Sequence, residues 1–155
     1  MFSGGYPPLC IPKGFVSVST MKRSVACILF QEGKVLVGRR VPGGQMGERW
    51  EFPGGKVENG ESAEVAICRE FDEEFSVPVT VGQKIAQAVF QYNGKDIRLE
   101  GYEVFLATDA PQWILTEHTE IRWVTFDEIK QLHFVDSDLL IYPQVVEYFS
   151  KKGWS

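Results

Sequence analysis

With 155 residues, a formal net charge of −5 and a pI near 5.1, the chain is too acidic for a protein whose main task is gripping duplex nucleic acid or an anionic membrane, since both need a basic surface. Its 44% hydrophobic and 24% charged residues are the proportions of one globular domain with a core. Cys10, Cys27 and Cys68 are an odd set without metal-ligand spacing, and Cys27 and Cys68 lie in apolar runs, which predicts buried reduced thiols and a cytoplasmic protein.

Residues 1–20 scatter three glycines and three prolines in a loose pattern and read as an N-terminal extension of unknown order, ahead of a single domain over 21–155. They lack a basic start followed by an apolar run, and no stretch of the chain approaches the ~18 apolar residues of a membrane span, so neither export nor membrane insertion is expected. Ser24–Phe30 and Val35–Arg39 read as strands of a hairpin about Gln31-Glu32-Gly33-Lys34. After the Gly-rich loop VPGGQMGER comes a short strand, Trp50–Phe52, stopped by Pro53, with Gly54-Gly55 predicted as a tight exposed turn. A helix starts from Ser62 as N-cap; Val65, Ala66, Ile67, Phe71 and Phe75 supply its apolar face, and Pro78 limits it. Strands over Val79–Tyr92 and Asp96–Thr108 are joined by Asn93-Gly94, a strong hairpin signal. Ile121–Val124 is a further strand. Thr125 and Glu128 have capping-box spacing for a short helix to Leu132, and a last helix covers Ser137–Lys151, kinked or delayed by Pro143. The fold class expected is α/β (α+β), a mixed β-sheet between helices.

The chemistry concentrates in REFDEEF, residues 69–75. Like charges at i,i+4 on a helix repel by ~0.2–0.5 kcal/mol, so Glu70 with Glu74 is a local loss unless a cation lies between them. Positions 70, 73 and 74 share one helix patch, and hard oxygen donors at that density suit Mg²⁺ or Mn²⁺. The Gly54-Gly55-Lys56 segment just before the helix offers backbone groups that can approach an ion or a phosphate.

GKVENGESAEVAICREFDEEFSV, residues 55–77, resembles the Nudix box, Gly-x5-Glu-x7-Arg-Glu-U-x-Glu-Glu-x-Gly-U with U apolar. Gly55, Glu61, Arg69, Glu70, Glu73 and Glu74 fall in register, and Phe71 and Val77 fill the apolar sites. Ser76 stands where the family has glycine; a left-handed helix end there costs ~1 kcal/mol, so the turn is expected to be strained or closed differently. The preceding GRRVPGGQMGERWEFPGGK looks like the MutT branch of nucleotide-pool enzymes and their CTP-hydrolysing relatives. The resemblance implies a Nudix α/β/α sandwich and a nucleotide as small-molecule substrate. It implies Glu70 and Glu74 as primary metal ligands, with Glu73, Glu117 and the Gly54 carbonyl completing the shells, and Arg69 holding the carboxylates. Glu73, Glu74 and Glu117 are all candidates for the general base. It places Arg40 against the substrate phosphates, Phe52 beside the base, Gly55 and Lys56 at the substrate, and Asp138 on the base edge. The plainer readings are a surface charge for Arg40, core for Phe52, a solvated carboxylate for Glu117 and a helix N-terminal charge for Asp138.

The activity implied is Mg²⁺- or Mn²⁺-dependent cleavage of a nucleoside triphosphate to the monophosphate and pyrophosphate, with 8-oxo-dGTP the preferred substrate. The alternatives are a CTP or modified-dCTP hydrolase, an RNA 5′ pyrophosphohydrolase, and a non-catalytic nucleotide sensor. The assembly expected is a monomer or homodimer. His118 and His133 read as surface or partly buried structural residues, Cys68 as packing, Trp123 as core, and Trp113 as pocket lid or surface.

Overall fold

The computed structural model describes residues 21–153; the expectation for residues 1–20 lies outside them. Eight strands and three helices follow in the order β1 (Lys22–Ile28), β2 (Phe30–Gln31), β3 (Lys34–Arg40), β4 (Trp50–Glu51), β5 (Gly54–Lys56), α1 (Ala63–Phe75), β6 (Val79–Tyr92), β7 (Lys95–Leu106), β8 (His118–Val124), α2 (Phe126–Ile129) and α3 (Asp136–Lys151). One sheet has the order β5-β1-β7-β6, with β1 and β7 parallel and the other pairs antiparallel. In the second, β3 carries β8 along one edge and β2 and β4 along the other.

Strand β1 shows why helices must cover both faces. Val25 and Cys27 pack with Ala66, Ile67, Phe71 and Phe75 of α1, whereas Ala26 and Ile28 pack with Ile141, Val145 and Phe149 of α3. An uninterrupted apolar run such as VACIL is what a strand buried on both faces requires. The mixed sheet between helices is therefore as expected.

Both hairpins turn on two consecutive left-handed residues, Glu32 and Gly33 in one and Asn93 and Gly94 in the other, which matches the twist of the strands they join. Helix α1 is capped by the Ser62 hydroxyl, which accepts from the Val65 N–H at 3.1 Å. It closes through Ser76 itself in the left-handed region, φ 55°, with its N–H on the Asp72 carbonyl at 2.9 Å. The capping box at Thr125 and Glu128 forms as expected.

Several expectations need correction. Gly54-Gly55 are not an exposed turn: they open β5, which pairs with β1 because the Cys27 N–H donates to the Pro53 carbonyl at 2.7 Å and the Val57 N–H to Arg23 at 3.0 Å. Val65 is exposed, being about 200° round the helix from Ile67. Cys68 is exposed too, while Cys27 is buried. Strand β8 starts three residues earlier than expected, at His118. Helix α3 runs through Pro143 with no delayed start. Trp123 is only partly buried, against the core under α1, and Trp113 is also half-buried, its ring packing edge-on to Phe75 at 5.5 Å. No helix among the described residues is long and apolar enough to cross a membrane.

Candidate active site

Arg69 organises the acidic helix. Its Nε donates to Glu61 at 2.6 Å and its Nη2 to Glu61 and to the Lys56 carbonyl at 2.9 and 3.0 Å; Nη1 reaches Glu73 at 3.2 Å and Glu70 at 3.3 Å. One guanidinium thus ties β5 and the following loop to α1 by charge-assisted bonds. These bonds, with the Glu58 N–H, hold the Glu61 carboxyl down at about 2.

Glu70 and Glu74 face inward from the same ridge. A Cβ on Gly55 would lie 2.3 Å from the Glu70 carboxyl, so the absent side chain is the space that carboxyl occupies. Glu74 is buried, and its Oε1 has no hydrogen-bond partner. Burial first, then the charge of Glu70 and that of Glu51, pushes the Glu74 carboxyl well up; burial also raises Glu70. A buried carboxylate pair with an orphaned oxygen needs a proton or a cation.

The three-carboxylate patch read from helical phase is only partly assembled. Glu73 is turned to Arg69 and largely exposed. Among the described residues, no group of three or more Asp, Glu, His or Cys side chains is arranged as a finished metal cage. Arg69 is the nearby cation, and Glu61, Glu70 and Glu73 all reach it, which leaves Glu74 buried beside Glu70 without a cation of its own. Glu117 is exposed on the segment before β8, which is tied to the end of α1 by the Thr116 hydroxyl, donating to the Glu73 carbonyl at 2.9 Å. Its charge still reaches Glu74.

Arg40, at the end of β3, is 44% exposed at the side chain and pairs through Nη1 with both oxygens of Glu51, at 3.2 and 3.3 Å. Asp138, in the first turn of α3, is buried and accepts the Phe52 N–H at 2.9 Å. Burial, then the charge of Glu51, pushes its carboxyl up to about 8, against the pull of the Phe52 N–H and Arg40. Phe52 is a core residue, edge-on to Phe134 at 5.2 Å. Lys56 is exposed, with its carbonyl on Arg69.

Sequence reasoning missed Glu51 and misplaced His118. Glu51 lies between Trp50 and Phe52, both core, so alternation turns it to the opposite face of the strand, and its charge reaches both Glu74 of α1 and Asp138 of α3. His118 is no surface residue: its side chain is wholly enclosed, and Nε2 is 2.9 Å from Glu51. A lone acid between two core aromatics was the available signal.

A profile described as the NUDIX domain matches residues 20–145. The chain belongs to the Nudix family. This Nudix hydrolase is 32% identical over 117 residues to the CTP pyrophosphohydrolase of Escherichia coli strain K12, covering 74% of this chain and 84% of that one. It is 34% identical over 113 residues to the putative 8-oxo-dGTP diphosphatase 2 of Mycobacterium tuberculosis, covering 67% and 73%. Among solved structures, the E. coli ORF135 protein superposes with a TM-score of 0.72 at 28% identity, over 82% of this chain and 89% of that one.

Proposed function

We propose that this Nudix hydrolase splits a nucleoside triphosphate into the monophosphate and pyrophosphate, with a divalent cation held at the acidic end of α1. The observation that carries the reading is the buried Glu70–Glu74 pair, whose orphaned Oε1 and glycine-lined surroundings suit a hard cation such as Mg²⁺ or Mn²⁺. Glu70 and Glu74 would hold it, with Glu73, Glu117 and the Gly54 carbonyl as further donors. When bound, the cation neutralises phosphate charge and lowers the barrier to attack by water.

The chain's own residues have separable tasks. Arg69 fixes the carboxylates against β5, so donor positions are set before substrate arrives. Arg40, half-exposed at the strand end, binds the polyphosphate. Gly55 and Lys56 bring backbone close to the same region. Glu73, Glu74 or Glu117 accepts the proton of the attacking water. Asp138 reads the edge of the base, at the junction of β4 and α3.

The substrate favoured is a purine (d)NTP such as 8-oxo-dGTP, in line with the diphosphatase relative. CTP is the second reading, favoured by the E. coli relative and by an Asp138 carboxyl able to meet an exocyclic amino group. Release of pyrophosphate should be measured on dGTP, 8-oxo-dGTP, dCTP, CTP and a 5′-triphosphate RNA, and release of AMP on ADP-ribose, with Mg²⁺ and with excess EDTA. Pyrophosphate from one of the four mononucleotides, abolished by EDTA, is the expected result. Full turnover in EDTA, or activity confined to ADP-ribose or RNA, would overturn it.

A further inference from the structure

We propose that His118 is a positioning residue: through Glu51 it aims Arg40 at the substrate phosphates, and so sets substrate binding while touching neither substrate nor metal. The proposal rests on the triphosphate reading above.

The imidazole is fixed on two sides. A Cβ on Gly38 would come within 2.6 Å of ring atom Cδ2, so the ring sits where a side chain is missing from β3. On its other side it stacks on Phe75, with centroids 5.3 Å apart and planes 13° from parallel. Held this way, Nε2 meets Glu51 Oε2 at 2.9 Å, and Glu51 in turn takes Arg40 Nη1 on both oxygens. All contacts between Arg40 and Glu51 run through Nη1, while Nε is buried without a hydrogen-bond partner, so the guanidinium is gripped at one corner. A flexible arginine aimed by a fixed carboxylate loses less freedom when a phosphate arrives. The chain His118, Glu51, Arg40 crosses three strands, β8, β4 and β3, that the sheet brings side by side.

A merely structural histidine fits less well. The slot between Gly38 and Phe75 is apolar, and a leucine there would bury no polar atom, whereas His118 leaves Nδ1 enclosed with no partner. That unsatisfied nitrogen is a cost that an apolar side chain filling the same space against Phe75 would not carry. What the imidazole provides that leucine lacks is the bond to Glu51.

The test compares His118→Leu, which removes the bond, His118→Gln, which keeps a donor for Glu51, and Gly38→Ala, which pushes the ring aside without altering it. KM, kcat, half-saturating Mg²⁺ and melting temperature should be measured on the best nucleotide of the panel, and the affinity for inorganic triphosphate by calorimetry with Mg²⁺ present. His118→Leu and Gly38→Ala should raise KM and weaken triphosphate binding by about tenfold, the worth of one charge-assisted hydrogen bond. Their kcat should stay within about threefold and their Mg²⁺ requirement should not move. His118→Gln should restore KM. Unchanged KM and triphosphate affinity in both His118→Leu and Gly38→Ala, beside an active wild type, would overturn the positioning role alone. So would a KM in His118→Gln as poor as in His118→Leu. A wild type that hydrolyses no nucleoside triphosphate overturns the functional reading instead, and the calorimetry reports the phosphate site independently.

Discussion

Replacing Asp138 by asparagine isolates one buried proton. The wild-type carboxyl is enclosed beside Glu51 and titrates at about 8 rather than at its ordinary 3.8. A folded value above the unfolded one means that the unfolded chain gives up the proton first. Stability from this site is therefore whole below about pH 4, falls as pH rises, and levels off above about 8. Between 3.8 and pH 7 lie 3.2 units, which at ~1.4 kcal/mol per unit set an upper bound of about 4 kcal/mol. Relaxation around the site should leave ~2 kcal/mol of that. Asparagine keeps an acceptor for the Phe52 N–H, presents its amide to Glu51 and does not titrate. Asp138→Asn should match wild type near pH 4 and melt roughly 4–8 °C higher at pH 7, a gap that widens steadily between. Melting of both proteins in matched buffers from pH 4 to 8.5 measures this, since groups that do not interact with Asp138 cancel in the difference. A gap that does not change with pH would show that Asp138 ionises normally and that its burial has been misjudged.

Glu74→Gln in metal-free protein should hold or raise the melting temperature, because burial and the charge of Glu70 already disfavour an ionised carboxylate there and the neutral amide gives up none of that. Added Mg²⁺ should then stabilise wild type more than the mutant, with kcat lower by orders of magnitude; melting with and without Mg²⁺ beside turnover checks both. Gly55→Ala puts a methyl where the Glu70 carboxyl lies, so it should cost ~1–3 kcal/mol of stability and most of kcat, read from denaturant melts and steady-state rates. Ser76→Gly relieves a left-handed residue and should stabilise by about 1 kcal/mol with kcat unchanged, measured by urea denaturation.

Where the determining contacts are local, the amino-acid order was enough. The Ser62 cap, both two-residue hairpins, the capping box at Thr125 and the apolar ridge of Ala66, Ile67, Phe71 and Phe75 each depend on residues a few positions apart, and each forms as the pattern requires. The resemblance implied that Arg69 holds carboxylates; that Glu61, from the loop before the helix, is its shortest partner is a contact only the structure supplies. Other features depend on partners distant in the chain. Gly54 and Gly55 form a strand because β1 lies beside them, whereas Cys68 stays exposed at the edge of α1, with its Sγ 3.9 Å from the Val79 carbonyl of β6. Glu51 and His118 are 67 positions apart and become one unit only when β3 lies between β4 and β8. Asp138 differs from any acid at a helix start because folding brings it 86 positions back to the Phe52 N–H, away from water and near the charge of Glu51. Propensity and spacing specify which carboxylates are present, but their solvation and neighbouring charge, which decide what each can do, exist only after the sheets have assembled.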